Sequence, residues 1–343
     1  MRQRLNQLAV SSALILALTA GTARADFEAG VEAYRRGDFA AAAAEWQPLA
    51  DAGNVDAQHN LGVLYGEGRG VPQDLEKAFE LFSRAAENGS ADSTFNIARM
   101  YMAGLGVERD QAKGLEFLRE AADEKHPGAL YELGNLYRRG ELVGAQDYAR
   151  AAELYRAAAE GGHLGAVNNL GAMYLFGQGV EKDPAEAGKF FRVAAEAGLP
   201  RGLTNLAYLF ERGEGTERNL LQAARLYRMA AGAGDVEARE RLAALRPELE
   251  AAYPAAGSQR EVVRHVQLFL TALGLDPGPA DGMMGPRTGN AIREFQEKAD
   301  LPVTGEATPQ LRAQLLQVLA PPLPPGQAPA AQPQQTPPPP SGS

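Results

Sequence analysis

The sequence predicts an all-α protein, with a right-handed solenoid of helix-pair repeats followed by a small three-helix bundle. Two observations favour the solenoid: a motif that recurs every 36 residues and, inside each copy, apolar residues at helical spacing. A separate helical pattern that begins near residue 258 favours the bundle. Hydrophobic residues make up 45% of the chain and charged residues 22%, which allows a packed core.

Residues 1–25 have the three-part pattern of a secretory signal peptide. Arg2 and Arg4 give a positive start, residues 8–20 form an apolar run, and small residues surround the expected cleavage site after Ala25. The alternative, a retained membrane anchor, is disfavoured because a helix needs about 20 apolar residues to span a bilayer. We therefore predict an exported protein with no membrane anchor.

The composition disfavours several kinds of protein. The chain contains no cysteine, so disulfides, thiol nucleophiles and a lipid-modified cysteine are excluded. Its formal net charge of −9 is unfavourable for binding to nucleic acid, which is itself a polyanion. We expect no nucleic-acid partner.

The central part of the chain, residues 54–234, contains five copies of the repeat. In each copy an aliphatic residue precedes an aromatic one by four positions: Leu61 and Tyr65, Ile97 and Tyr101, Leu133 and Tyr137, Leu170 and Tyr174, and Leu206 and Phe210. Later in each copy an aromatic residue or a leucine precedes two alanines: Phe82, Leu118, Tyr155, Phe191 and Tyr227. Both patterns fit one face of an amphipathic helix, so each copy is predicted to form two helices.

The helix boundaries are also marked in the sequence. Asp74 and Asp183 precede second helices, where a carboxylate can cap the first N–H groups, and Pro184 suits the first helical position. Helices of about 12 residues are marginal in isolation, so neighbouring copies have to stack. With a shortened opening unit and a closing cap, the predicted solenoid covers residues 26–247.

The string Leu-Gly-x-x-Tyr-x-x-Gly-x-Gly-Val-x-x-Asp at residues 61–74 and 170–183 resembles the Sel1-like repeat, a relative of the tetratricopeptide repeat. The resemblance covers about residues 54–234. It implies a solenoid that binds other proteins and whose repeats carry no catalytic residues.

One polar position recurs in the first helices. It holds asparagine in four copies and is broken by Glu132 in a fifth; the asparagines are Asn60, Asn96, Asn169 and Asn205. In tetratricopeptide proteins the corresponding concave position often contacts a partner, so we predict these four residues to be protein-binding. The alternative is that they serve packing or hydrogen bonding within the repeats.

The second module is predicted at residues 258–319, after a linker at residues 248–257. Ser258 and Glu261 have the spacing of a capping box, a loop rich in glycine, proline and aspartate follows the first helix, and Pro286 begins the second. The Pro-rich residues 320–343 are predicted to be a disordered tail.

The module resembles the bacterial peptidoglycan-binding domain through Val266-Gln267, Asp281-Gly282, Gly285-Pro286-x-Thr288 and Phe295-Gln296. The resemblance implies that the module holds the cell-wall polymer without cutting it. The predicted peptidoglycan-binding residues are Asp281, Gly282, Gly285, Arg287, Thr288 and Gln296. The alternative is that these residues only shape turns, a helix start and the core.

The sequence shows no catalytic pattern. The histidines lack metal-ligand spacing, although His126 and His163 occupy equivalent positions of successive repeats. We therefore expect no catalytic residue, no metal site and no cofactor.

The expected function is that of a periplasmic scaffold or adaptor, which binds peptidoglycan and another envelope or exported protein. The alternatives are a regulator that inhibits a membrane sensor or a wall enzyme, or a secreted effector. A cell-wall hydrolase is less favoured, because the repeats and the module leave no room for a catalytic domain.

Overall fold

The computed structural model describes residues 23–322, and this part of the chain forms sixteen α-helices and no strand. The helices are α1 (Ala23–Arg35), α2 (Phe39–Asp51), α3 (Val55–Glu67), α4 (Leu75–Glu87), α5 (Ala91–Ala103), α6 (Gln111–Asp123), α7 (Pro127–Arg139), α8 (Tyr148–Glu160), α9 (Leu164–Phe176), α10 (Pro184–Glu196), α11 (Pro200–Arg212), α12 (Leu220–Gly232), α13 (Val236–Ala252), α14 (Gln259–Ala272), α15 (Pro286–Lys298) and α16 (Pro309–Leu319). The predicted all-α class is confirmed. Residues 1–22 of the predicted signal peptide and residues 323–343 of the predicted tail lie outside the described residues.

The chain divides into two compact units after Ala166, within α9. Unit 1 contains α1–α8, and unit 2 contains α10–α16; each is described by itself. Among residues 23–322, no helix combines the length and the apolar character that crossing a membrane requires.

The polar caps that the sequence predicts are present at the starts of the second helices. Asp74 accepts a hydrogen bond from the backbone N–H of Lys77 at 2.9 Å, and Asp183 accepts one from that of Glu186 at 2.9 Å. These N–H groups have no partner within their own helix. At the end of α3, Gly68 adopts the left-handed conformation that glycine favours, with φ of 68°.

The glycine of the Leu-Gly pair makes room for the aromatic ring of the second helix. A Cβ atom at Gly62 would lie 2.9 Å from the ring of Phe82, and one at Gly134 would lie 2.8 Å from the ring of Tyr155. The ring therefore packs directly on the backbone of the first helix. This contact explains why the motif combines a glycine with an aromatic residue some twenty positions later.

The opening helices of unit 1 are built around Trp46. Its side chain is fully buried, and its ring centroid lies 5.9 Å from that of Phe27 and 6.0 Å from that of Tyr34. The indole N–H donates a hydrogen bond to the carbonyl oxygen of Phe27 at 3.3 Å. Helices α1 and α2 thus form the shortened opening pair, and α2 packs against α3.

In unit 2 the last repeat helices and the C-terminal helices share one hydrophobic core. Helix α12 packs against α14 and α16, and the buried side chains of Leu226, Phe269 and Leu319 belong to the same cluster. Arg228 adds a polar contact, since its Nη2 donates to the carbonyl oxygen of Leu273 at 3.3 Å. The three predicted C-terminal helices are therefore present, and α14 and α16 pack against α12.

Helix α13 extends beyond the end of the repeat pattern. It contains Pro247 in its interior and ends at Ala252, so residues 248–252 of the expected linker are helical. Leu249 lies in this extension and is fully buried in the shared core.

Candidate functional site

A buried glutamine holds the loop between α14 and α15. The side chain of Gln267 is 1% exposed, and its Nε2 donates to the carbonyl oxygen of Met283 at 3.0 Å and to the hydroxyl of Thr288 at 3.2 Å. Its Oε1 accepts the backbone N–H of Gly282 at 2.9 Å. Thr288 in turn donates to the carbonyl oxygen of Pro277 at 2.8 Å. The Thr288 hydroxyl is therefore used inside the loop.

Gln296 has the same kind of role in the segment between α15 and α16. It is 5% exposed, and its Oε1 accepts the backbone N–H groups of Thr304 at 3.0 Å and Gly305 at 2.9 Å. Its Nε2 donates to the Thr304 hydroxyl at 3.0 Å. Of the predicted peptidoglycan-binding residues, Thr288 and Gln296 thus face inward, as the structural alternative expects. A role for them in binding remains a prediction.

Two charged residues of the predicted site face solvent. The Asp281 carboxylate accepts the backbone N–H of Met283 at 2.9 Å and the Gln267 amide at 3.2 Å, and these hydrogen bonds lower the pKa of Asp281. Arg287 pairs with Asp276, and this hydrogen bond lowers the pKa of the Asp276 carboxyl. The loop therefore presents carboxylates and a guanidinium, which suit sugar hydroxyls, amides and carboxylates.

The two predicted glycines differ in what the backbone requires. Gly282 has φ of 76°, and a Cβ there would lie 2.6 Å from the carbonyl oxygen of Arg260, so only glycine fits. Gly285 has φ of −125° and precedes α15 without a side-chain cap, and a Cβ there would meet no atom within 4 Å. Backbone geometry explains the first glycine and not the second.

The four predicted protein-binding asparagines have different surroundings. Asn96 is 2% exposed, and neither polar atom of its side chain has a hydrogen-bond partner in the described part of the chain. The Nδ2 of Asn205 donates to the Oδ1 of Asn168 at 2.8 Å. Asn60 and Asn169 are partly exposed. Partner binding by these residues stays a prediction, and Asn168 is a partner that the repeat pattern did not single out.

His126 and His163 are helix caps. The Nδ1 of His126 accepts the backbone N–H of Ala129 at 3.0 Å, and the Nδ1 of His163 accepts that of Ala166 at 3.1 Å. The ring of His163 also stacks on Tyr131, with centroids 4.2 Å apart. In residues 23–322, no three His, Asp or Glu side chains are grouped so that they could hold a metal ion.

Comparison with known families agrees with the helix pairs. The family model described as Sel1 repeat matches residues 55–90, 91–126, 127–163, 165–199 and 200–235, together more than half of the chain. The chain belongs to the Sel1 repeat family. A second model, described as peptidoglycan binding domain, matches residues 259–315 of this Sel1 repeat protein. Both resemblances noted in the sequence are confirmed.

A solved structure supports the solenoid fold. The crystal structure of a Sel1 repeat protein from Oxalobacter formigenes is 29% identical, covers 64% of this chain and 89% of its own, and has a TM-score of 0.60. A protective antigen of uropathogenic Escherichia coli with an SLR fold is 26% identical, covers 87% of this chain and 68% of its own, and has a TM-score of 0.47.

The likeness to curated proteins is confined to short segments. DAP3-binding cell death enhancer 1 of Rattus norvegicus is 45% identical over 49 residues, which are 14% of this Sel1 repeat protein and 10% of the rat protein. The chain thus spans about a tenth of the length of the curated relatives that it matches.

Proposed function

We propose that this Sel1 repeat protein is a periplasmic scaffold without enzymatic activity, which binds peptidoglycan through residues 258–319 and another exported protein through its repeats. The observation that carries the proposal is the presence of five Sel1 repeats and a peptidoglycan binding domain in one chain. The signal-peptide pattern of residues 1–25 supports export. Stacked repeats offer an extended surface for a protein partner.

The exposed loop between α14 and α15 is the proposed contact with peptidoglycan. Arg287 is suited to a stem-peptide carboxylate, because a guanidinium forms paired, charge-assisted hydrogen bonds with carboxylates. Asp281 is suited to sugar hydroxyls and amide N–H groups. Thr288 and Gln296 support this loop and the next segment from inside, through the hydrogen bonds that they make there.

Co-sedimentation of the full chain with purified sacculi tests the attachment. We expect the protein to pellet with the sacculi, and Arg287→Ala to pellet at least threefold less. Lys298→Ala is the matched control, because Lys298 is an exposed cation on α15 that pairs with the exposed Glu294. A wild-type chain that stays in the supernatant would contradict the proposed attachment.

Cross-linking in intact cells tests the partner half of the proposal. We expect the full chain to co-purify with a defined exported protein, and Arg287→Ala to retain that protein while losing its association with the wall. Incubation of the purified protein with sacculi is expected to release no muropeptides. Release of muropeptides would instead show a hydrolase.

A further inference from the structure

Unit 2 contains an open cavity of about 470 Å³ between α10, α11 and the loop that follows α11. This volume lies within the range of about 300–1,000 Å³ that is typical of ligand pockets. Its apolar wall includes Leu209, Phe210 and Val193, and Val193 is 51% exposed. Lys189 and Arg192 also line the cavity.

Gly188 lies in the wall of the cavity, and a Cβ there would lie 3.3 Å from the Cδ1 of Leu209. Other second helices carry larger residues at the same position of the repeat: Phe79, Leu115, Ala152 and Ala224. In unit 1, Phe79 packs edge-on against Tyr101, with centroids 5.4 Å apart. Phe210 occupies the position equivalent to Tyr101, and Gly188 occupies the position equivalent to Phe79. One face of Phe210 therefore lies beside a space that an apolar side chain fills elsewhere in this chain.

Two cations, Lys189 and Arg192, lie beside this space. Arg192 has arginine equivalents in other repeats, and the last repeat carries Arg225 at the position of Lys189. Lys189 stands where three other second helices carry Glu80, Glu116 and Glu153. Lys189 is paired with Glu186 at 2.6 Å, whereas Arg192 is exposed and makes no ion pair within residues 23–322. The lining includes no acidic residue. Of the two charged lining residues, Arg192 is therefore the one available to pair with an acidic ligand.

We propose that the cavity binds an acidic segment of the partner protein. An apolar side chain of that segment takes the place over Phe210 that Phe79 fills over Tyr101, and a neighbouring carboxylate pairs with Arg192. Desolvating the exposed Val193 and the partly exposed Phe210 provides affinity, and the ion pair selects acidic over basic segments. This inference rests on the proposed function, in which the repeats bind a protein.

Methyl NMR of the full chain tests the cavity directly. The probe is the N-acetylated tripeptide amide Asp-Phe-Asp, compared with Lys-Phe-Lys and with Asp-Ser-Asp. We expect the acidic aromatic peptide to shift the methyl signals of Val193 and Leu209 saturably, with a Kd at least tenfold lower than that of either control peptide. The preference is informative because the overall charge of the protein opposes it.

Three variants separate the cavity from the general surface. Gly188→Leu fills the space with the residue that Leu115 provides in another repeat, and it is expected to weaken binding at least tenfold while favouring the helix. Arg192→Glu is expected to reverse the preference between the acidic and the basic peptide. Arg119→Glu, at the equivalent position of an earlier repeat, is the control and leaves binding unchanged.

Unmoved methyl signals, equal shifts with the acidic and basic peptides, or full binding by a folded Gly188→Leu variant would each overturn the cavity proposal. None of these results affects the sacculus and cross-linking experiments. A partner that cross-links equally well to Gly188→Leu shows that the repeats bind it elsewhere. The scaffold function and the cavity can therefore fail independently.

Discussion

Asn96 and Asn135 are two buried asparagines that differ in hydrogen bonding. Within residues 23–322, the side chain of Asn96 has no hydrogen-bond partner, whereas the Oδ1 of Asn135 accepts a hydrogen bond from the hydroxyl of Tyr155 at 2.8 Å. Replacing an unpaired buried amide by an apolar side chain of similar size removes a desolvation penalty. We expect Asn96→Leu to raise the free energy of unfolding by about 1 kcal/mol, and Asn135→Leu to lower it by about 1–3 kcal/mol.

Urea denaturation followed by circular dichroism measures both changes. Equal losses in the two variants would show that Asn96 is hydrogen-bonded, for example through a bridging water. A gain for Asn96→Leu would show that the stability of the repeat does not require this asparagine. The presence of Asn96 would then lower the stability of the protein.

The cap at His163 makes stability depend on pH. Its Nδ1 must be unprotonated to accept the N–H of Ala166, and burial lowers the pKa of His163, with His126 adding to the effect. The unfolded chain, with a pKa of about 6.5, therefore binds the proton more tightly than the folded protein. The contribution is fully present above about pH 6.5 and is lost as the pH falls through the folded pKa.

We expect His163→Asn to reduce the fall in Tm between about pH 7 and about pH 5, because an amide oxygen caps without titrating. Asn54 caps α3 in this way, accepting the N–H of Ala57 at 2.8 Å. His163→Ala should cost about 1 kcal/mol at neutral pH, where the cap is intact. If His163→Asn keeps the wild-type pH profile, the titration belongs to another group.

At the scale of the helix, a glycine in the loop between the two helices of a repeat sets how closely that repeat packs on the preceding one. In the loop between α5 and α6 this glycine is Gly106. Gly106 has φ of 66°, and a Cβ there would lie 2.1 Å from the carbonyl oxygen of Leu75, at the start of α4. Gly89 also has positive φ, 87°, but no atom of the described residues lies within 4 Å of a Cβ there. Comparing alanine variants at Gly106 and Gly89 therefore separates the effect of backbone strain from that of steric overlap.

Gly106→Ala and Gly89→Ala should each lower the free energy of unfolding by about 1–2 kcal/mol, because alanine is strained in the left-handed conformation. Gly106→Ala should cost about 1–3 kcal/mol more, because the loop has to move away from α4. Thermal unfolding of the two variants, compared with wild type, measures the difference. Equal costs would mean that the loop moves without loss and does not hold the repeats together.

The helices could be predicted from the sequence because their signals are local. Apolar spacing and the capping residues Asp74 and Asp183 depend on a few neighbouring positions, and the structure places the caps as expected. The extension of α13 could not be predicted in this way. Pro247 disfavours a helix locally, but the burial of Leu249 in the shared core offsets the lost backbone hydrogen bond.

The site was predictable in part for the same reason. The motif marks Gly282, whose positive φ is a local requirement. The role of Gln267 depends on several loop segments that close around one amide, and the pairing of Asn205 with Asn168 joins neighbouring repeats. The cavity beside Phe210 likewise arises from a missing side chain on another helix. Such contacts are set by packing across elements, which spacing in one element does not encode.

At the scale of the whole molecule, the shared core of unit 2 couples the proposed wall-binding bundle to the last repeats. Arg246 donates to the carbonyl oxygen of Ala320 at 3.3 Å, and Arg312 donates to the carbonyl oxygens of Tyr253 and Pro254. The polar contacts thus tie α13 and the segment after it to α16 and the residue that follows it. Removing residues 258–343 would expose the apolar surface of α12 and α13, so point variants are the better probes of the bundle.

Phe269 provides such a probe, because it is fully buried in α14 and belongs to the cluster that includes Leu226 of α12. We expect Phe269→Ala to lower the free energy of unfolding by about 3–5 kcal/mol. If α12 and α14 open together, Phe269→Ala lowers the free energy of opening, measured by hydrogen exchange, by the same amount for the amides of both helices. Val303→Ala, at a side chain that is 50% exposed, is the control and should change neither rate. Faster exchange confined to α14 would show that the bundle opens alone, and the wall-binding part would then be a separately folding attachment rather than the last layer of the repeat stack.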